Sequence, residues 1–249
     1  MPADDSIPPA GTTRRERRAL RESRRDSHSP APLLFASPTD RPAQRTPPTV
    51  LFVCTGNICR SPFADVVLRA RVEALNVHVE SAGTHAIVQS GMTRQARDLA
   101  VAHGARTADA DAHRARILGE PALNQASVIL TMTREQRTHA VELTPNRLHR
   151  TFTIRELARL TSMVSSEEIR SIANDAGADE GARLDAVLTA VSAQRGRVAA
   201  PGDDDDVIDP YRGSDAVYEL SISQILPALA EVERLLRESS ARSAPHDRT

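Results

Sequence analysis

The chain has 249 residues and a hydrophobic content of 40%, enough for one globular domain with a sizeable core plus peripheral segments. Its 32 basic and 33 acidic residues leave a net charge of −1, so the overall charge does not indicate a nucleic-acid partner. No apolar stretch near the start is as long as a signal core, and we expect no secretory or membrane-spanning segment.

Residues 1–46 are rich in proline, serine and arginine and show almost no apolar periodicity. Such a segment buries too little apolar surface to offset the entropy of ordering, so we predict a disordered tail. An arginine cluster between Arg14 and Arg25 is typical of a solvated arm, and contact with an anionic partner or a short helix stays open.

A short β-branched run at 50–53 predicts the first strand. Apolar residues at helical spacing then predict a helix that starts at Pro62 with Ser61 as its N-cap. The apolar stripe of that helix consists of Phe63, Val66, Val67, Ala70 and Ala74. The intervening loop, from Cys54 to Arg60, can wrap backbone N–H groups around one anion, and Gly56 permits a close approach. This pattern is typical of a phosphate-binding loop above a helix N-terminus.

The chemistry of the loop follows from Cys54 and Arg60. A helix N-terminus and a nearby guanidinium stabilise the thiolate, so Cys54 can attack phosphorus as a nucleophile. Arg60 stays charged and offers a planar fork of donors that matches two phosphate oxygens. The C-x5-R spacing alone recurs by chance, but strand, glycine and following helix together predict a phosphatase.

Strands and helices continue to alternate along the chain. Further strands are predicted at 77–80, 128–132 and 152–154. A helix through Ala96 stops at Gly104, and Thr133 with Gln136 forms a capping box for the helix after the third strand. This order predicts an α/β fold: a small four-stranded parallel sheet with helices on both faces and the loop at the carboxyl end of the first strand.

Residues 161–205 are predicted to be helical and then acidic, with helices at 166–173 and 183–193. Their apolar stripe is formed by Leu184, Val187, Leu188 and Val191. The stripe favours packing against the main core, while a substrate-selecting lid or a partner surface stays open. The acidic run at 203–206 is expected to be a solvated loop.

A C-terminal helix is predicted from Ser214. Its core face is expected to contain Val217, Leu220, Ile225, Leu229, Val232 and Leu236. Both cysteines, Cys54 and Cys59, lie in the one loop motif, which argues against a disulfide framework and for a reducing, cytoplasmic location.

The loop string CTGNICRSP at 54–62 resembles the signature of the low-molecular-weight protein tyrosine phosphatases, of bacterial type. The segments at 79–84, 113–116, 128–134 and 209–211 also resemble family segments, in family order. The resemblance implies a phosphatase domain at 47–239, a helical and acidic insertion at 161–205 before the Asp-Pro-Tyr loop, and a disordered C-terminus at 240–249.

The resemblance implies a catalytic role for three residues. Cys54 corresponds to the nucleophile that forms a phosphocysteine, Arg60 to the phosphate clamp, and Asp209 to the general acid that protonates the leaving oxygen. The implied substrate-binding residues are Thr55, Gly56, Asn57, Ile58, Cys59, Ser61 and Tyr211. The family uses no cofactor, and no metal ligand is implied.

The resemblance also implies supporting contacts. Ser61 corresponds to a hydroxyl that stabilises the thiolate. A hydrogen-bond network that holds the loop is implied for Asn57, Ser61, Ser81 and His113. Cys59 corresponds to a neighbouring thiol that can form a reversible disulfide with Cys54 under oxidation.

One departure from the family concerns the substrate slot. Ile87 stands where many relatives place an aromatic residue, so one wall loses a stacking partner and Tyr211 remains as the other. We expect a phosphotyrosyl protein or a small aryl phosphate as substrate. Family analogy suggests a bacterial tyrosine kinase as a partner.

Two alternatives use the same loop. An arsenate reductase would need an external thiol, because no cysteine follows Cys59. A weakly catalytic module that binds phosphorylated ligands is the other. A zinc site is disfavoured, because His85, His103 and His113 do not show metal-ligand spacing.

Overall fold

The computed structural model describes residues 47–197 and 205–242. The predicted disordered tail at 1–46 lies outside the described residues, and so do Asp203 and Asp204 of the acidic run. Of the predicted disordered C-terminus, only residues 240–242 are described, and Ser240 still belongs to the last helix. Within the described ranges, no helix is both long enough and apolar enough to cross a membrane.

Four strands form one parallel sheet in the order β2-β1-β3-β4. Their bounds are β1 Thr49–Cys54, β2 His78–Gly83, β3 Val128–Thr131 and β4 Thr151–Thr153. β1 is rich in apolar residues and almost wholly buried, as expected for a central strand of a parallel sheet. The predicted sheet is confirmed, and Cys54 ends its first strand beside Gly83 of β2.

Helices connect the strands and continue beyond them. Within residues 47–197 and 205–242 the α-helices are α1 Arg60–Arg71, α2 Arg94–Ala102, α3 Thr107–Ala112, α4 Glu120–Gln125, α5 Arg134–Leu143, α6 Ile154–Thr161, α7 Ser166–Asp175, α8 Glu180–Ser192 and α9 Asp215–Ser240. Short 3-10 helices cover Pro145–Arg150 and Ala193–Gly196.

Alternate residues of β1 enter two separate cores. Val50 and Phe52 belong to the larger core, which also contains buried residues of α1 and of α6 to α9. Leu51 and Val53 belong to a smaller core that includes Leu123 of α4. Because successive side chains of a strand point to opposite faces, this division confirms a helix layer on each side of the sheet.

The helices predicted at 166–173 and 183–193 are α7 and α8. Leu184, Val187, Leu188 and Val191 are all buried in the larger core, where Ile169 of α7 joins them. The predicted packing of this apolar stripe against the main core is therefore confirmed.

The start of α1 differs from the sequence prediction. The helix begins two residues before Pro62, and Ser61 is not its N-cap, because the Ser61 hydroxyl contacts the thiol of Cys54. Proline is tolerated throughout a first turn, since those amides have no acceptor inside the helix. α1 also ends before Ala74, which is exposed rather than buried.

The core face of α9 was also only partly predicted. The helix follows Ser214 as expected, but Leu220 is 48% exposed. Tyr218 and Ile222 occupy the core-facing positions on either side of it. The apolar pattern of this turn is ambiguous, because tyrosine and isoleucine flank the leucine at similar helical spacing.

Three local predictions concern the ends of elements. Gly104 has φ +96° directly after the C-cap of α2, which confirms it as a helix stop. The capping box of Thr133 and Gln136 at α5 is confirmed. The fourth strand ends at Thr153 and not at Ile154, because Thr153 caps α6.

Candidate active site

The loop between β1 and α1, residues 54–60, turns its carbonyl groups away from its centre. Four of these carbonyls accept hydrogen bonds from backbone amides outside the loop. The Cys54 carbonyl accepts from Thr84 at 2.9 Å, that of Thr55 from His85 at 3.0 Å, that of Gly56 from Ile87 at 3.0 Å, and that of Ile58 from Thr93 at 2.9 Å. Because the C=O and the next N–H of a peptide plane point in opposite directions, the loop amides face inward. A ring of inward amides at a helix N-terminus can bind an anion.

Asn57 holds the tightest turn of this loop. It is fully buried and has φ +55°, a left-handed conformation that asparagine tolerates better than most residues. Its Nδ2 donates to Ser61 Oγ at 3.0 Å, and its Oδ1 accepts from the amide of Arg116 at 3.0 Å. His113 Nε2 lies 2.8 Å from the Asn57 carbonyl and donates to it, since a carbonyl only accepts. Burial lowers the pKa of His113, which favours this neutral, donating imidazole.

Ser81, which the resemblance implied in the same network, has a different partner. Its hydroxyl donates to Asp65 Oδ2 at 3.0 Å, and Asp65 Oδ1 accepts from Arg69 at 2.6 Å. Ser81 pairs in register with Phe52, whose side chain faces α1, so Ser81 faces α1 as well. Burial raises the pKa of Asp65 to about 6. The supporting contacts therefore form one cluster around Asn57 and one beneath α1. Arg116 links the two, because its backbone amide donates to Asn57 Oδ1 and its Nε donates to the Ser81 carbonyl at 2.8 Å.

Gly83 allows the end of β2 to lie against the loop. A Cβ atom at this position would come within 2.5 Å of the Thr55 carbonyl oxygen and 3.0 Å of Asn57 Cβ. Contacts of this length to backbone are not tolerated, so only glycine fits here. The Ser-Ala-Gly segment at the end of β2 can therefore contact the loop, because Gly83 has no side chain.

Cys54 lies at the base of the loop with 2% of its surface exposed. Its Sγ is 2.9 Å from Ser61 Oγ and 3.2 Å from the amide nitrogen of Asn57. Because Asn57 Nδ2 already donates to Ser61 Oγ, the serine hydroxyl can donate its own proton to the sulfur or to the Ala82 carbonyl at 3.5 Å, and the sulfur is the nearer of the two. Two donors and a helix N-terminus thus face the Cys54 sulfur.

Arg60 and Asp209 meet at the same end of the loop. Arg60 is buried, donates from Nη1 to the Val207 carbonyl at 3.1 Å, and pairs through Nη2 with Asp209 Oδ2 at 2.7 Å. The buried Nε of Arg60 has no acceptor within the described part of the chain. An oxyanion in the loop would supply that acceptor and would compete with Asp209 for Nη2.

The described part of the acidic run is neutralised by arginines. Asp205, expected in a solvated loop, is buried and pairs with Arg159 at 2.9 Å. Asp206 accepts from the backbone amide of Arg134 at 2.8 Å. These contacts fix the backbone just before Asp209, which is 52% exposed at its side chain. The run therefore acts in part as an anchor for the segment that carries Asp209.

A cleft of about 180 Å³ opens above the loop. It is lined by Cys54, Thr55, Gly56, Ile58, Cys59, Arg60, His85, Ile87, Asp209 and Tyr211. Of the expected substrate-binding residues, Asn57 and Ser61 do not line it, because both side chains are fully buried beneath the loop. His85 was missed from the sequence, since nothing in its neighbours marks it as a cleft residue. Among the described residues, no cluster of three or more histidine, cysteine or acidic side chains could hold a metal ion.

The Cys59 thiol has different partners from the Cys54 thiol. Its Sγ lies 3.5 Å from Thr93 Oγ1 and 3.5 Å from the hydroxyl of Tyr218, and burial raises the pKa of this thiol. Both cysteines are free thiols. A reversible disulfide between Cys54 and Cys59 stays a prediction.

Comparison with known proteins bears on this geometry. Residues 49–170 match the family described as low molecular weight phosphotyrosine protein phosphatase. The low molecular weight protein-tyrosine-phosphatase Etp of Escherichia coli K12 is 35% identical over 97 residues, which is 39% of this chain and 62% of the relative. The aligned part thus spans less than two thirds of that relative.

Two further similarities involve a different named activity. A protein-arginine-phosphatase of Geobacillus stearothermophilus is 34% identical over 110 residues, 44% of this chain and 71% of the relative. The solved structure of the YwlE arginine phosphatase from Geobacillus stearothermophilus superimposes with a TM-score of 0.52 at 25% identity, covering 77% of this chain and 94% of that chain.

Proposed function

Because the chain belongs to the low molecular weight phosphotyrosine protein phosphatase family, we propose that it hydrolyses aryl phosphate monoesters, with phosphotyrosine as the principal substrate. The proposal depends chiefly on one juxtaposition. The Cys54 thiol lies under inward-facing amides, and Arg60 of the same loop is 2.7 Å from the Asp209 carboxylate. A nucleophile, an anion clamp and an acid thus share one small cleft.

In the proposed first step, the Cys54 thiolate attacks phosphorus and the bond to the leaving oxygen breaks. Arg60 and the loop amides bind the three non-bridging oxygens, where charge is spread in the transition state. Asp209, in its acid form, gives its proton to the leaving oxygen, so the leaving group departs as a neutral phenol. The product of this step is a phosphocysteine at Cys54.

In the proposed second step, Asp209 acts as a base. It takes a proton from water while the water oxygen attacks phosphorus and the P–S bond breaks. Inorganic phosphate leaves and the Cys54 thiolate is restored. Ser61 Oγ, 2.9 Å from the sulfur, stabilises the thiolate as leaving group.

The walls of the cleft favour an aryl leaving group. Ile58 and Ile87 offer apolar surface, and Tyr211, 44% exposed, offers a ring face. Ile87 leaves one side without a stacking partner, so we expect weaker binding of the ring than a fully aromatic slot would give. Small aryl phosphates therefore stay in the proposed substrate class beside phosphotyrosyl proteins.

Phosphoarginine is the second candidate, because one relative is named a protein-arginine-phosphatase. Its guanidine group carries several N–H donors that need acceptors near the scissile bond. Ile58, Ile87 and the ring of Tyr211 supply none. Among the described lining residues the side-chain acceptors include Asp209, Thr55 and His85, and Asp209 is already paired with Arg60. The lining thus supports an aryl over a guanidine leaving group.

The cellular setting is part of the proposal. A thiolate nucleophile needs reducing conditions, which supports the expected cytoplasmic location. A bacterial tyrosine kinase, or a protein that it modifies, is the partner suggested by family analogy.

The test is hydrolysis of p-nitrophenyl phosphate and of phosphotyrosyl, phosphoseryl and phosphoarginyl peptides, with chelator present. We expect aryl-selective turnover that Cys54→Ser abolishes. Asp209→Asn should slow it by about 10² to 10⁴. Asp215→Asn, an exposed acid in the first turn of α9, is the matched control and should retain native rates.

Three outcomes would contradict the proposal. Faster hydrolysis of the phosphoarginyl peptide would favour the second candidate. Turnover that survives Cys54→Ser would exclude a phosphocysteine. Inactivity of the reduced native chain on all four substrates would favour an arsenate reductase with an external thiol or a phosphate-binding module.

A further inference from the structure

Gln136, in the first turn of α5, makes more contacts than a helix cap requires. The residue is buried, and its Oε1 accepts from the amides of Met132 at 3.0 Å and Thr133 at 3.1 Å. Its backbone amide donates to Thr133 Oγ1 at 3.3 Å, which completes the capping box. These bonds use the carbonyl end of the side chain and leave its NH2 group for another partner.

That partner is the loop that carries the nucleophile. Gln136 Nε2 donates to Thr55 Oγ1 at 3.1 Å, across 81 positions of sequence. Thr55 follows Cys54 directly, and it lines the cleft. Its side chain is therefore held from outside the loop, by a residue that does not touch the cleft itself.

Residues at the start of α5 also contact the segment that carries Asp209. The Met132 carbonyl accepts from the amide of Val207 at 2.8 Å, and the Val207 carbonyl accepts from Arg60 Nη1 at 3.1 Å. Asp206 accepts from the backbone amide of Arg134, the first residue of α5. The start of α5 thus lies between the loop of the nucleophile and the segment of the acid.

Comparison with the other capping boxes indicates why a glutamine stands here. The boxes of α6 and α7 use Glu156 and Glu168, whose carboxylates accept from the N-cap amide as Gln136 does. A glutamate at 136 would cap α5 equally well. It would accept a hydrogen bond from the Thr55 hydroxyl instead of donating one, and it would add a buried negative charge beside an anion site.

We propose that Gln136 is a positioning residue, whose side chain fixes Thr55 of the phosphate loop against the turn that anchors the Asp209 segment. The inference rests on the proposed function, since it takes the loop to be the phosphate site. With Thr55 held, the loop amides keep the orientation that binds phosphate before substrate arrives. Without this bond the loop should bind phosphate more weakly even though the fold is intact.

The experiment is a double-mutant cycle of Gln136→Met and Thr55→Val. The readouts are kcat/KM for p-nitrophenyl phosphate, and the protection of Cys54 from iodoacetamide by inorganic phosphate. Each single variant should weaken phosphate protection by about tenfold, the size of one hydrogen bond to a positioned group. The double variant should be no weaker than either single one, because both changes remove the same bond.

Thr133→Ala is the matched control. It removes the other half of the capping box but leaves the side-chain bonds of Gln136 in place. We expect it to lower the melting temperature while phosphate protection stays native. Thr55→Val alone is the second variant, in case Gln136→Met does not fold; it leaves the capping bonds of Gln136 in place, so it should keep the native melting temperature and still weaken phosphate protection.

Two results would overturn the inference. In the first, the losses from Gln136→Met and Thr55→Val multiply in the double variant. In the second, inorganic phosphate protects Cys54 in Thr55→Val as well as it does in the native chain. If the native chain hydrolyses no substrate, the proposed function fails, but the alkylation readout still decides the role of Gln136.

Discussion

The conformation of the loop at 54–60 depends on two residues that contribute no side chain to the cleft above it. Asn57 adopts φ +55° and bonds to Ser61 and Arg116, so its amide is left pointing at the Cys54 sulfur. Gly83 lets the end of β2 approach the Thr55 carbonyl. The inward orientation of the loop amides thus depends on the left-handed backbone of Asn57 and on the absence of a side chain at Gly83.

Gly83→Ala should damage the site more than the fold. The added Cβ would lie 2.5 Å from the Thr55 carbonyl oxygen, so the loop has to shift. We expect kcat/KM for p-nitrophenyl phosphate to fall by at least about tenfold. Gly196→Ala is the control, because nothing lies within 4 Å of a Cβ there. Native kinetics in Gly83→Ala would show that the close approach is not needed.

The two thiols should differ sharply in reactivity. The Cys54 sulfur accepts hydrogen bonds from Ser61 and Asn57 at the base of the cleft, whereas burial raises the pKa of Cys59. At pH 7, iodoacetamide should therefore modify Cys54 and leave Cys59 intact, as read by peptide mass spectrometry. The Cys59→Ala variant should react at the native rate. Equal labelling of both cysteines would contradict this assignment.

Helix α1 begins with a residue of the candidate site and carries a buried acidic residue in its middle. Its first residue is Arg60, and Asp65 lies one turn further on, against Ser81 of β2. The pKa of Asp65 is raised to about 6 from an ordinary value of 3.8, and the first cause is burial. The folded chain therefore holds this proton more tightly than the unfolded chain does, and stability falls as pH rises through this interval.

Asp65→Asn tests this pH dependence. The two values differ by about 2 pKa units, which corresponds to about 3 kcal/mol of stability that is present near pH 4 and lost above pH 6. In urea unfolding, Asp65→Asn should therefore gain stability relative to the native chain as pH rises from 4 to 7. The control is Asp111→Asn: Arg97 lowers the pKa of exposed Asp111 below its ordinary value of 3.8, so the stability difference of this variant should stay constant from pH 4 to 7 and change only at lower pH. A pH-independent difference for Asp65→Asn would contradict the buried, shifted carboxyl.

The sequence was most informative where a pattern is local. The β-branched run of β1, the capping box of Thr133 and the stop at Gly104 were all read correctly from neighbouring residues. Ser61 was misread as an N-cap because its hydroxyl has a tertiary partner, the Cys54 thiol. The cap of Gln136 was visible, but its bond to Thr55 was not, since that bond depends on how α5 packs beside β1.

At the scale of the whole molecule, α7 and α8 extend the core and are fastened to the end of α9. Arg183 of α8 is buried and donates to the carbonyls of Ser239, Gly177 and Ala241 at 2.7, 3.1 and 2.6 Å. A single guanidinium thus satisfies the last carbonyls of the C-terminal helix. The contact between Arg60 and Asp209 also depends on how distant parts of the chain pack together. No local sequence pattern predicted it, and only the family resemblance led us to expect Asp209 near the loop.

Arg183→Met should destabilise the fold substantially. It keeps apolar volume but leaves three carbonyls without their donor, at a cost of about 2 to 4 kcal/mol in urea unfolding. The control is Arg170→Met, which breaks a partly exposed pair with Glu238 at 2.6 Å between the same two parts of the fold. That change should cost about 1 kcal/mol or less. Equal losses of unfolding free energy in the two variants would contradict a larger contribution from the buried hydrogen bonds of Arg183.

The most direct test of the proposed chemistry is to look for phosphate on sulfur. The Asp209→Asn chain is mixed with p-nitrophenyl phosphate, whose leaving group needs little protonation, and quenched with acid in the first turnover. Because the base of the second step is missing, phosphocysteine should accumulate, and peptide mass spectrometry should locate it on Cys54. Turnover by the native chain with no phosphoryl group on Cys54 in either protein would contradict the mechanism.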